Sequence, residues 1–207
     1  MSVDLITFLH QVDGIASYDS LTKLFDDNID SNITLKKFSE NENMILIHND
    51  FNSKNNSILA NDCRSFVVKI DEDSNAKIIM YSHGTVKYEN FDNFTPIVHD
   101  NIEETFEDSY EGTMISVFNN NDKWYFTTSR CTNIDSSYFY KTNISFGDMF
   151  DECLQKMSSK LTRETFVQLL DKKNCYNFAL IHHNNKYIVD YTNIFGENYA
   201  KIALIDT

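Results

Sequence analysis

A few residues in this chain are of types and spacings that could do chemistry. Ser109 stands two residues before the acidic-Gly pair Glu111-Gly112 in the stretch DSYEGTMISVF. A serine hydroxyl is a weak nucleophile unless a neighbouring base takes its proton, and no histidine lies near this one in sequence. Arg64 and Lys87 are cations that could meet a phosphate. Arg64 could equally pair with an internal carboxylate, and Lys87, in an alternating segment, could be a solvated strand residue. Gly112 supplies backbone freedom where a turn between elements needs it. His182 and His183 are adjacent on a predicted strand, so their rings are expected on opposite faces, unable to share a metal. Carboxylate pairs such as Asp26-Asp27 and Glu103-Glu104 have no partner in sequence that would separate their pKa values for acid/base work. The aromatic run KWYF lacks the interleaved basic residues of a base-stacking platform. The chain has no Gly-rich phosphate loop, no HExxH and no GxSxG, and neither a metal nor a cofactor is expected.

The elements that must position these residues follow from periodicity. SVDLITFLHQV places Val3, Ile6, Leu9 and Val12 at helical spacing with Ser2 as cap, and YDSLTKLFDD gathers Leu21, Leu24 and Phe25 on one side of a second helix. ITLKKF and MILIHND read as strands. ILANDCRSFVVKI and AKIIMYS read as a pair across the turn DEDSN, and TMISVFNNNDKWYFTTSR as a hairpin around Asn-Asn-Asn-Asp. Helices return at SFGDMFDECLQKM and at TRETFVQLLDKK, where Thr162 is the expected cap. YNFALIHHNNKYIVDY reads as a hairpin turning at Asn184-Asn185, and AKIALIDT as a last apolar strand. The order predicts an α+β fold: N-terminal helices, an antiparallel sheet and a helical insertion. With few glycines, one proline and no compositional break, the expected organisation is a single domain over residues 1–207.

Composition narrows the class further. The 207 residues, 42% of them hydrophobic, suffice for a substantial core. A net charge of −13 with dispersed acids gives polyanions a repulsive average field, which argues against general nucleic-acid binding. The four cysteines (Cys63, Cys131, Cys153, Cys175) form no CxxC pair and follow no secretory leader, so a reducing, cytoplasmic setting is expected. No apolar run approaches the roughly 18 residues that cross a bilayer. Abundant Asn, Ile, Lys, Tyr and Phe against scarce Gly, Pro and Ala is the balance of AT-rich coding DNA, as in large AT-rich viruses, which would place the protein in host cytoplasm or virion.

Four segments, in order, resemble the adenylation domain of the phage RNA ligase 1 family, within the covalent nucleotidyltransferases. LANDCRSFVV resembles its Cys-Arg-Gly strand, GTVKYENF its Lys-aromatic-x-Asn segment, and SYEGTMISVFNNNDKWYFTTSR its Lys-x-Asp-Gly motif with the following hairpin. YNFALIHHNNKYIVDY resembles the strand carrying a ribose-binding glutamate. The resemblance implies a nucleotidyltransferase fold, with Arg64, Lys87, Glu111 and Gly112 as remnants of a nucleotide pocket. It also implies what is missing: Ser109 stands at the position of the lysine that attacks the α-phosphate, and Ala179 at that of the ribose-binding glutamate. The chain ends before the family's next metal-binding glutamate and its phosphate-clamping lysine pair.

The expected function is therefore that of a catalytically inactive relative, retained as a structural or protein-binding subunit of a larger assembly. Two other readings stay open. One is a nucleotide- or RNA-end-binding module using Arg64 and Lys87; the other is a working RNA ligase or nucleotidyltransferase with a relocated nucleophile, or one completed by a second chain. The helix around Phe146, Met149 and Phe150 is more apolar than one buried face requires. These residues are candidates for the partner surface, the alternative being that all three pack on the sheet.

Overall fold

The computed structural model describes residues 7–9, 16–28, 33–49, 63–82, 109–140, 142–185 and 189–207. Lys87, Glu103 and Glu104 lie outside these residues.

Among the described residues the chain builds two four-stranded antiparallel sheets rather than the single sheet expected from sequence. The first has the order β1 (Ile33–Phe38), β2 (Asn41–Asn49), β3 (Phe66–Ile70), β4 (Ala76–Tyr81). The second has the order β6 (Lys123–Thr128), β5 (Thr113–Asn120), β7 (Cys175–His182), β8 (Ala200–Asp206). Helix α1 (Tyr18–Asn28) covers the outer face of the first sheet, where Leu21 and Phe25 pack with Ile45, Ile47, Phe66 and Val68. The opposite side chains of those strands, Met44, Leu46, Val67 and Met80, meet Phe118 and Tyr125 of the second sheet. The outer face of the second sheet is closed by α2 (Phe146–Met157) and by the short α3 (Arg163–Phe166) with its 3-10 continuation Val167–Leu169. The result is four layers, helix, sheet, sheet, helix. Strands buried on both faces explain continuous buried runs such as Met44–His48 where alternation would be expected of a half-exposed sheet.

Local chemistry sets the element ends. Ser17 and Ser20 each accept the other's backbone N–H, at 3.1 Å and 2.7 Å, and so cap α1. Ser145 and Asp148 form the same box at the start of α2, and Thr162 with Thr165 at the start of α3. The β5–β6 turn places Asn121 at φ 52° and Asp122 at φ 62°, a left-handed pair that Asn and Asp tolerate and that matches the twist of a two-residue hairpin.

Three expectations need correction. Phe146, Met149 and Phe150 are buried against the second sheet and offer no partner surface, because the helix meets β7, β8 and α3 at once. Burial of side chains this large contributes about 1.5–3 kcal/mol each. The helix read from TRETFVQLLDKK stops after one α turn and one 3-10 turn, leaving Leu169 75% exposed. The return arm of the β7 hairpin is β8, paired from His182↔Ala200 to Asn177↔Asp206, whereas Val189 and Asp190 are not strand.

Candidate functional site

The stretch from Ser109 to Gly112 leads into β5 and is tied to residues 189–199. The Glu111 backbone N–H donates to Tyr191 Oη at 2.6 Å, and the Glu111 carboxylate accepts the Val189 backbone N–H at 2.8 Å. Ser109 is exposed, and among the described residues nothing hydrogen-bonds its hydroxyl. Gly112 is not held by a left-handed backbone. A Cβ there would stand 2.6 Å from the Leu180 carbonyl oxygen of β7, so close approach of two strands, not turn freedom, requires glycine. Arg64 is half-buried in the connection leading into β3, on the other sheet.

Ala179 lies on β7 between Met114 and Ala203, 5% exposed. Its side shares the face of Cys175 and Asn177, whose Sγ and Nδ2 donate to the Tyr81 carbonyl of the first sheet at 3.5 Å and 3.3 Å. This is the face turned between the sheets. Around Ala179 it is filled by Ile181, Tyr191 and Tyr199, with Tyr110 and Phe195 packed against them. Tyr191 and Phe195 stack at 5.5 Å, and Tyr199 meets Tyr191 edge-on at 6.1 Å. The structure thus gathers Glu111, Gly112 and Ala179 around one aromatic cluster, with Ser109 at its margin.

The second group of note is the one the strand pattern misplaced. His182 ends β7, and Asn185 N–H donates to its carbonyl at 2.8 Å, so His183 already belongs to a turn. The two rings therefore stack 4.3 Å apart instead of facing opposite ways. With Glu152 of α2 they bring three potential ligand atoms within 4.8 Å of one another. Their hydrogen bonds determine what the group can do. His182 Nδ1 accepts the Asn184 backbone N–H at 3.1 Å, so a neutral ring carries its proton on Nε2 and donates it to Glu152 Oε2, also at 3.1 Å. That leaves His182 no free lone pair for an ion or a substrate proton. His183 Nδ1 donates to the Tyr199 carbonyl at 3.1 Å, and its Nε2 meets the Asn184 side-chain amide.

Burial pushes the His182 pKa down, against the upward pull of Glu152. Burial also acts on Glu152, pushing it up, but the hydrogen bonds from Lys156 and His182 outweigh this and leave its carboxyl lowered. The group is a clasp between α2 and the end of β7. The neighbouring Cys153 thiol is pushed up to about 12, chiefly by burial, and is no nucleophile near neutral pH. The signal that could have placed His183 correctly is the HHNN run itself, since Asn-Asn after a strand is turn chemistry that can begin one residue early.

No protein-family model matches the chain, and no curated protein matches it in sequence.

Proposed function

We propose that this chain is a catalytically inactive relative of RNA ligase adenylation domains, acting as a binding or structural subunit of a larger protein assembly. The observation that carries this reading is the aromatic cluster at Ala179. Where the resemblance calls for a carboxylate facing a ribose, the chain has a methyl group enclosed by Tyr191, Tyr199 and Ile181. The position offers a ribose hydroxyl no carboxylate. Two further observations support it: among the described residues Ser109 has no base on its hydroxyl, and the Glu111 carboxylate holds a backbone N–H. Adenylyl transfer to a side chain needs an activated nucleophile and a cradle for the phosphates together.

The test is incubation of the chain with α-labelled ATP or GTP and magnesium or manganese, followed by a denaturing gel. No label is expected on the wild type, nor on Ser109→Lys, which restores the amine without the rest of the site. A metal-dependent labelled band in the wild type would overturn the reading, and mapping it would locate the nucleophile.

A further inference from the structure

Among the described residues no strand pairs with the outer edge of β6, which borders a groove of ≈ 510 Å³. The two-residue turn at Asn121-Asp122 makes Asn120 and Lys123 a hydrogen-bonded pair, so alternate residues Trp124, Phe126 and Thr128 turn their backbone groups away from β5. Two of those groups are taken: the Phe126 carbonyl accepts the Ile134 N–H at 3.3 Å, and the Thr128 N–H donates to the Cys131 carbonyl at 3.0 Å. The Trp124 N–H, the Trp124 carbonyl and the Phe126 N–H have no partner among the described residues. Trp124 and Phe126 both line the groove. One wall is the β1–β2 turn at Ser39 and Glu40, and the other is Val167 and Gln168 of the 3-10 segment. A sheet edge between two walls is the arrangement that receives an added strand, with the backbone giving affinity and the walls reading alternate side chains.

The geometry points to this groove as a docking site for an extended, net-basic segment of a partner protein, which joins the second sheet at Trp124–Phe126. The proposal rests on the reading of the chain as a binding subunit and names the surface it uses. Charge selects the occupant. The ion pairs Lys123–Glu40, Arg163–Asp135 and Lys172–Asp122 cancel within the groove, while Glu164 on its wall has no ion-pair partner among the described residues. The whole chain carries −13, so a second copy is repelled and a cationic strand is attracted. Side chains on one face of the added strand meet Val167 and Arg163, whose guanidinium lies over the Phe126 ring, 5.6 Å from its centroid. Those on the other face meet the Ser39–Glu40 turn.

The experiment titrates two synthetic peptides of alternating valine and threonine into the full chain by fluorescence anisotropy, one ending in paired lysines and one in paired glutamates. The lysine peptide is expected to bind at least about tenfold more tightly. N-methylation of its central amide should weaken binding about tenfold, the loss of one backbone hydrogen bond and its geometry. Gln168→Trp, at an exposed position, should fill the groove and abolish binding while leaving the melting temperature unchanged. No binding by the lysine peptide, or binding indifferent to both N-methylation and Gln168→Trp, overturns the proposal. So does a dimer in sedimentation that Gln168→Trp dissolves. Failure here with no covalent nucleotide label would remove this groove and leave the inactive-relative reading standing; a label would remove that reading whatever the peptides do.

Discussion

Placing a glutamate at position 179 tests whether the space beside Ala179 is filled. Ala179→Glu adds four heavy atoms at a site 5% exposed and packed by Ile181, Tyr191 and Tyr199. Overpacking of a close-packed site costs about 1–3 kcal/mol. A carboxyl group without a hydrogen-bond partner costs about 1–3 kcal/mol more on the scale of protein mutations. Lys201 shares this face through its pairing with Ile181, but its Nζ is held over the Phe195 ring, 4.4 Å from the centroid. The sum, about 2–6 kcal/mol, is a large fraction of the roughly 5–15 kcal/mol that stabilises a domain. With a urea slope of about 2 kcal/mol/M, the unfolding midpoint should fall by about 1–3 M. Ala179→Leu, which overpacks without the carboxyl, should fall by about half as much. Burial raises the pKa of the new carboxyl in the folded state, so a further, pH-dependent penalty should be absent below about pH 4 and grow as pH rises through the unfolded value of about 4.3, on top of the packing and desolvation costs that persist at low pH. A glutamate variant with the wild-type midpoint at pH 7 would refute the argument, because room and solvation would then exist where the rings are described. ATP-dependent stabilisation of that variant would refute it more strongly.

Two further outcomes follow from named contacts. Gly112→Ala should destabilise the chain by about 1–3 kcal/mol, because the added methyl meets the Leu180 carbonyl at 2.6 Å and a backbone must move; an unchanged urea midpoint would show that the strands separate without cost. His182 is held below its ordinary 6.5 chiefly by burial, with His183 and Lys156 pushing the same way and Glu152 opposing. The unfolded chain therefore binds the proton first, so the stability this residue contributes is complete above about pH 6.5 and is lost as pH falls from there toward the lower folded value. Urea midpoints between pH 5 and 8 should carry this slope in the wild type and lose it in His182→Gln; an equal slope in both would assign it to another group.

Much of the fold was legible because local chemistry and burial agree. The strand pairs at the Asp71–Asn75 and Asn121–Asp122 turns, and the caps at Ser145 and Thr162, use residues whose side chains bond their own backbone or tolerate left-handed φ. Periodicity also placed β8, the last apolar strand. What the chain alone determined was the α+β class, most element positions, and the absence of a lysine at 109 and of a carboxylate at 179. Tertiary structure decided the rest, for reasons periodicity does not carry. Whether the strands form one sheet or two depends on which edges pair, and β2, β3, β5 and β7, buried on both faces, read alike in either case. Whether Phe146, Met149 and Phe150 face a partner or the core depends on how many layers surround α2, which no helical wheel counts. The stacking of His182 on His183 follows from a strand that ends one residue before its pattern does. Gly112 is kept by the Leu180 carbonyl, an atom 68 positions later in the chain. The filled space at Ala179 comes from Tyr110, Tyr191, Phe195 and Tyr199, rings that only folding brings to one place.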